Sequence, residues 1–234
     1  MKRYLVKLSG EVLKGSQDSG ISFEMVDGFC KRLSAVILAK KAQLAFVIGG
    51  GNIFRGVSGE LNGFDRLYGD NIGMMATVIN CLAVAERLRF YGVETLLQSG
   101  VKIEGVAGLF DADAANAVLN RGGAVIFCGG TGNPYFSTDT TASLRALQIK
   151  ADCLFKATKV DGVYDSDPMK NPNAVKYDSI NYDEVIAKGL EIMDLTAMLM
   201  LKKNKMPLKV FCMNDSDSLE RAVAGENVGT TVMY

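Results

Sequence analysis

Short apolar runs alternate with stretches of helical period along this chain, and no other feature constrains the fold as strongly. Leu5–Leu8, Leu44–Ile48, Val93–Leu97, Ala124–Cys128 and Cys153–Phe155 read as strands. Phe23–Lys41 reads as a helix because Val26, Phe29, Leu33, Val36 and Ile37 fall on one face. Asp70–Tyr91 reads as a long helix, with Ile72, Met75, Ile79, Leu82 and Ala83 at helical spacing, and Asp113–Asn120 and Ser137–Ile149 as two more. Further on come helical stretches at Tyr182–Lys188, Leu195–Lys202 and Ser218–Ala224, a strand at Leu208–Met213 and a last strand near Thr231–Met233. Strand and helix in alternation predict an α/β fold, a sheet of mainly parallel strands covered by helices. With 234 residues, 48% of them hydrophobic, the chain can bury a sizeable core. No internal repeat interrupts it, and residues 1–234 read as one domain.

What the chain lacks narrows the chemistry. It has no histidine, which excludes a Ser-His-Asp triad, a Cys-His pair and any imidazole-based zinc site. Lys+Arg and Asp+Glu are both 26, so the net charge is zero and the basic footprint of a nucleic-acid binder is missing. Five cysteines, Cys30, Cys81, Cys128, Cys153 and Cys212, lie far apart with no C-x-x-C, which points to reduced, buried thiols. The run after Met1 is too short for a signal peptide, and the longest uncharged stretch, Gly122–Thr138, falls short of the ~20 apolar residues of a membrane span. A cytoplasmic protein with no membrane partner is the expectation.

Glycine shows where a ligand would sit. Ser9-Gly10 follows the first strand, Gly49-Gly50-Gly51-Asn52 the second and Gly129-Gly130-Thr131-Gly132-Asn133 the fourth. In an open parallel sheet these turns share the carboxyl edge, where ligands bind. Glycine lets backbone N–H groups approach an anion, and a following helix N-terminus adds positive potential. A single such turn would only be tight chain reversal; three on one edge favour phosphate. The phosphate site is of an uncommon kind, because no Gly-Lys dipeptide and no G-x-G-x-x-G is present. Lys7 closes an apolar strand, where a charge is costly without a partner, although it could also snorkel to solvent. Arg55 could fork onto a phosphate or lie on the surface. Asp139, in Ser-Thr-Asp-Thr-Thr, could cap a helix or orient lysines or a metal-bound phosphate.

Six blocks carry a resemblance that spans essentially the whole chain. They are Lys7-Leu-Ser-Gly-Glu11, Val47-Ile-Gly-Gly-Gly-Asn-Ile-Phe-Arg-Gly56, Gly69-Asp-Asn-Ile-Gly-Met74, Thr131-Gly-Asn-Pro-Tyr-Phe-Ser-Thr-Asp139, Lys156-Ala-Thr-Lys-Val-Asp-Gly-Val-Tyr164 and Met193-Asp-Leu195. The sequence resembles the bacterial-type uridylate (UMP) kinases of the amino acid kinase superfamily. The third and fourth blocks are the most particular to that group. The resemblance implies a three-layer α/β sandwich with about eight mostly parallel strands, and the reaction ATP + UMP → ADP + UDP in pyrimidine nucleotide (CTP/UTP) biosynthesis. Mg²⁺ would ride on the nucleotide phosphates, with no metal held by protein side chains. By the same resemblance Lys7, Leu8, Ser9, Gly10, Gly51 and Arg55 would contact ATP phosphates, and Thr158, Tyr164 and Asp167 would form the adenosine pocket. Gly50, Asp70, Thr131, Gly132, Asn133, Pro134, Tyr135, Phe136, Ser137 and Thr138 would hold UMP. Lys7, Arg55 and Asp139 would be catalytic, Asp139 orienting the catalytic lysine. Asp194 matches the family but receives no role. A homohexamer is implied, with UTP as candidate feedback inhibitor and GTP as candidate activator.

The missing histidine is consistent with this chemistry. A phosphate monoester has a second pKa near ~6, so the attacking oxygen of UMP is already ionised at neutral pH and needs no general base. The protein has only to align two anions and offset their repulsion. Three alternatives remain at the level of sequence: a relative that phosphorylates a carboxylate or carbamate, a non-catalytic nucleotide sensor or storage shell, and a nucleotide-binding regulator that contacts DNA.

Overall fold

A computed structural model of the chain describes residues 1–54, 63–213 and 217–234; Arg55 lies outside the described residues. The first strand, β1 (Arg3–Leu8), runs into a 3₁₀ turn at Gly10–Leu13 and then α1 (Phe23–Leu38). β2 (Gln43–Ile48), α2 (Arg66–Phe90), β3 (Thr95–Ser99), β4 (Gly108–Leu109), α3 (Ala112–Arg121), β5 (Ala124–Cys128), α4 (Thr138–Gln148) and β6 (Cys153–Thr158) follow. The remaining elements are β7 (Val163–Tyr164), β8 (Lys176–Tyr177), β9 (Ser179–Asn181), α5 (Tyr182–Ala187), α6 (Leu195–Lys203), β10 (Leu208–Cys212), α7 (Ser218–Val223) and β11 (Thr230–Met233).

Nine strands form one sheet in the order β4-β3-β5-β2-β1-β6-β10-β11-β9. Every neighbouring pair is parallel except β10 with β11. The sheet has two strands more than the seven read from the sequence pattern, because β4 and β9 are too short to show a period. β7 and β8 pair separately as an antiparallel ribbon.

Alternation along the strands builds two cores. Tyr4, Val6 and Leu8 of β1 face α1 and α2, joined by Phe29, Leu33, Val78 and Val84. Leu5 of β1 and Val47 of β2 face the other way, toward Ala142 and Ala146 of α4 and Met198 and Leu201 of α6. The result is a three-layer α/β/α sandwich. β1 lies between β2 and β6, so the chain leaves it toward one side and returns on the other. Such a switch point opens a crevice at the carboxyl edge, and the turns after β1, β2 and β5 all lie there.

The long helix corrects one expectation. Ile72, Met75, Ile79 and Leu82, the residues whose spacing marks it as a helix, are exposed. Its buried face is Met74, Val78, Cys81, Val84, Ala85 and Leu88. α2 therefore carries two apolar stripes, and periodicity alone does not say which one meets the sheet. By length and composition α2 could also cross a bilayer, with a mean hydropathy of 1.2 over its most apolar window. Here one of its faces is packed against α1 and the strands. All five cysteines are free thiols; burial pushes Cys30 up to about 12 and Cys128 up to about 11.

Candidate active site

β1 and β6 are parallel neighbours, and their register sets Lys7 opposite Lys156. Lys7 shares the face of Leu5, so both ammonium groups point toward the helix layer that contains α4. At the start of α4, Ser137 is the cap: its Oγ accepts from the backbone N–H of Asp139 (3.0 Å) and of Thr140 (3.1 Å). The Asp139 side chain is therefore free of the capping role and takes both lysines. Lys7 Nζ lies 2.9 Å from Oδ1 and Lys156 Nζ 2.7 Å from Oδ2, with side chains 12–16% exposed. Lys156 also donates to the carbonyl of Ile192.

Two cations and one anion leave a net positive charge at a helix N-terminus, a favourable place for phosphate. Burial alone would push the Asp139 carboxyl up; the charges and hydrogen bonds of Lys7 and Lys156 outweigh it and hold the group below the ordinary carboxylate value. Burial also lowers Lys156, an effect that Asp139 offsets only in part and the neighbouring Lys7 reinforces.

Lys156 is the residue that sequence reasoning missed, although it stands in a quoted block. The fifth strand was expected to end at Phe155, whereas β6 continues to Thr158. That extension puts Lys156 inside a strand, the same signal that singles out Lys7. Asp194 also acquires a place. It caps α6 through the N–H of Ala197 (2.9 Å), accepts from Thr140 Oγ1 (3.0 Å) and from Ser137 Oγ, and so ties α6 to the first turn of α4.

Clefts open on both sides of the ion trio. One, of about 160 Å³, is lined by Gly50, Asp70, Thr77, Asn133, Phe136 and Thr138, among others. The other, of about 580 Å³, is lined by Lys156, Thr158, Tyr164 and Asp167 together with Leu190 and Ile192. The structure thus brings Gly50, Asp70, Asn133, Phe136 and Thr138 into one cleft, and all three expected adenosine residues into the other. Thr131, Gly132, Pro134, Tyr135 and Ser137 do not line the first cleft; Thr131 and Tyr135 bond to residues that do. Thr131 Oγ1 accepts the Asn133 N–H (3.2 Å). Gly132 has φ +85°, and a Cβ there would meet the Gly100 carbonyl oxygen at 2.2 Å, so only glycine fits. Tyr135 holds a left-handed φ of 70°, uncommon for a bulky residue, and its N–H donates to Asp70 Oδ2 (2.7 Å). Asp70 also pairs with Arg66 at 2.9 Å. The side chain of Leu8 lies in the core, which leaves only its backbone for a phosphate. Ser9 and Gly10 begin the 3₁₀ turn beyond β1, and Gly51 sits in the turn after β2.

Comparison with known proteins identifies the family. The sequence profile of the amino acid kinase family matches residues 2–212. The uridylate kinase of Magnetococcus marinus is 47% identical over 231 residues, covering 99% of this chain and 95% of that protein. The chain belongs to the amino acid kinase family, in its uridylate kinase branch. A second member, the uridylate kinase of Porphyromonas gingivalis, is 46% identical over 99% of this chain and 96% of its own length. Among solved members, the UMP kinase of Bacillus anthracis superposes with a TM-score of 0.93 at 34% identity, covering 99% of this chain and 96% of that one. The UMP kinase of Ureaplasma parvum gives 0.93 at 33% identity, covering 100% of this chain and 99% of that one. The trio stands at the switch point of the sheet, where β1 lies between β2 and β6.

Proposed function

We infer that this chain transfers the γ-phosphoryl group of ATP to UMP, giving ADP and UDP, as a step of pyrimidine nucleotide biosynthesis. The observation that carries this reading is the Lys7–Asp139–Lys156 trio set between two clefts at the carboxyl edge. ATP lies in the larger cleft, its base against Thr158, Tyr164 and Asp167 and its phosphates toward Ser9, Gly10 and Gly51. UMP lies in the smaller one, its phosphate at Thr138 and the first turn of α4. Both phosphate chains then point at the two ammonium groups.

Lys7 and Lys156 stabilise the charge that spreads over the transferring group. Asp139 fixes both lysines in place and, at Lys156, opposes the loss of the proton that burial favours. No side chain needs to remove a proton, since the UMP phosphate is already ionised. Arg55, on its position in the sequence, adds a further donor. Among the described residues no cluster of acidic side chains could cage a cation, and both Asp139 oxygens face lysines. A divalent ion, Mg²⁺ in this proposal, would ride on the nucleotide phosphates and neutralise part of their negative charge.

Residues 1–234 would act as one catalytic domain. The outward stripe of α2, with Ile79 50% exposed and Met75 41% exposed, supports a homo-oligomer, which the resemblance makes a hexamer. Cytoplasmic location, feedback by UTP and activation by GTP rest on the resemblance alone. The test is a coupled assay of the purified protein with ATP-Mg²⁺ against a panel of nucleoside monophosphates. Turnover confined to UMP is expected; a preference for another monophosphate, or for a small carboxylate, would overturn the assignment.

A further inference from the structure

α2 carries an asparagine, Asn80, that is 0% exposed, deep in a helix whose other inward residues are mostly apolar. Asparagine is a poor helix former, and a buried carboxamide costs free energy unless its hydrogen bonds are made. Here they are made in full. Asn80 Nδ2 donates to the Gly49 carbonyl (2.7 Å) and to Asn52 Oδ1 (2.7 Å). Asn52, 3% exposed, donates through Nδ2 to Asn80 Oδ1 (3.0 Å) and to the Gly20 carbonyl (2.8 Å). The Gly20 N–H returns to the Asn52 carbonyl at 2.8 Å.

The pair joins the turns that the reaction uses. Gly49 and Asn52 bracket Gly50 and Gly51 in the turn after β2. Gly10, in the turn after β1, packs against both amides: a Cβ there would meet Asn52 Oδ1 at 2.3 Å and Asn80 Nδ2 at 2.9 Å. An apolar pair could fill such a space, so packing alone does not account for two amides. What an apolar pair could not do is hold the Gly49 and Gly20 carbonyls, and with them the direction in which the intervening glycine N–H groups point.

We propose that Asn80, acting through Asn52, is a positioning residue that clamps the post-β1 and post-β2 glycine turns in their phosphate-binding shape. The proposal rests on the kinase reading for its consequence but not for the clamp itself. Asn80→Leu keeps the branched shape and raises helix propensity while removing the polar contacts. Its kcat should fall on the order of 10²-fold, as misplacement of aligned reactants does, with KM for ATP and UMP changed by no more than about threefold. Asn52→Ala, a loop change that spares α2, should behave alike, and the double variant should lose no more than the worse single one, since the two act as a unit. Hydrogen exchange reads the clamp without the reaction: amides of residues 9–20 and 49–53 should exchange faster in either variant, while those of residues 84–90 should not. Parental kcat together with unchanged exchange in both variants would overturn the clamp. Multiplicative losses in the double variant would also contradict it. A parent protein that makes no UDP would sink the kinase reading instead, and the exchange result would still decide the clamp.

Discussion

The two clefts beside the ion trio are built by different means. The smaller is assembled on the carboxyl edge of the sheet and held by α2: Asp70 takes the Tyr135 N–H, Thr77 Oγ1 takes the Gly129 N–H at 2.9 Å, and Asn80 holds the Gly49 carbonyl. The larger is walled by the long segment from Thr158 to Pro168 and by the connection between α5 and α6. Its polar side chains mostly satisfy one another locally, as where Tyr164 donates to Asp161 at 2.6 Å and Asp167 accepts from the Met169 N–H at 2.9 Å. One wall is fixed by hydrogen bonds from a core helix; the other is mostly loop, tied to the sheet by the Val163 N–H that donates to Thr230 Oγ1 at 2.8 Å. Rigid walls can discriminate between close analogues, and a loop wall accepts a base that is only one part of a large ligand. Selectivity for the acceptor should therefore concentrate in the smaller cleft.

The largest expected effect belongs to neither cleft but to the trio of Lys7, Asp139 and Lys156. Lys7→Ala, Lys156→Ala or Asp139→Asn should each lower kcat on the order of 10²-fold or more, measured under saturating nucleotide. Asp139→Asn should also destabilise the fold, by on the order of 3 kcal/mol, because two close ammonium groups lose their counter-ion; denaturant unfolding measures this. A variant that turns over like the parent would show that its residue only supports the structure.

Within the clefts, Asp70→Asn or Thr138→Ala should raise the KM for UMP about tenfold and leave that for ATP nearly unchanged. Smaller and opposite in selectivity, Tyr164→Ala or Asp167→Ala should raise the KM for ATP by about threefold, since a loop wall can readjust. Initial-rate kinetics with each nucleotide varied in turn would reverse the assignment of the clefts if the selectivities came out exchanged.

The mildest effect is on pH dependence. Asp139 is held below the usual carboxylate range, so its contribution is present throughout the neutral region and is lost only as pH falls through that lowered value. The acid limb of kcat/KM should instead follow the UMP phosphate near ~6. Lys156 is lowered by burial, so its charge is lost as pH rises through a value below the ~10.4 of a free lysine. Turnover should fall on the alkaline side earlier than an ordinary lysine would dictate, and Lys156→Arg, if active, should move that limb upward.

Much of this was legible in the sequence where a local pattern had a single physical solution. A lysine ending an apolar strand, three glycine turns after strands and an aspartate at a helix start together pointed to Lys7, the carboxyl edge of the sheet and Asp139. What stayed hidden depended on partners distant in the chain. Lys156 acquired its meaning from register with β1, and Asp194 from α4 lying against α6. The inward and outward faces of α2 could not be told apart, because both are apolar. Tyr135 gave no hint of its left-handed backbone, and the Asp70 carboxylate that takes its N–H is distant in the chain. The strands β4, β7, β8 and β9 are two or three residues long, too short for a period to register.

The most direct test of the shared-trio mechanism is a crystal structure with UMP and a non-hydrolysable ATP analogue bound together. The phosphate chains should meet within hydrogen-bonding reach of Lys7 Nζ and Lys156 Nζ, with UMP against Thr138 and the adenine beside Tyr164. Nucleotides bound away from the carboxyl edge, or phosphates that leave the two lysines untouched, would contradict it.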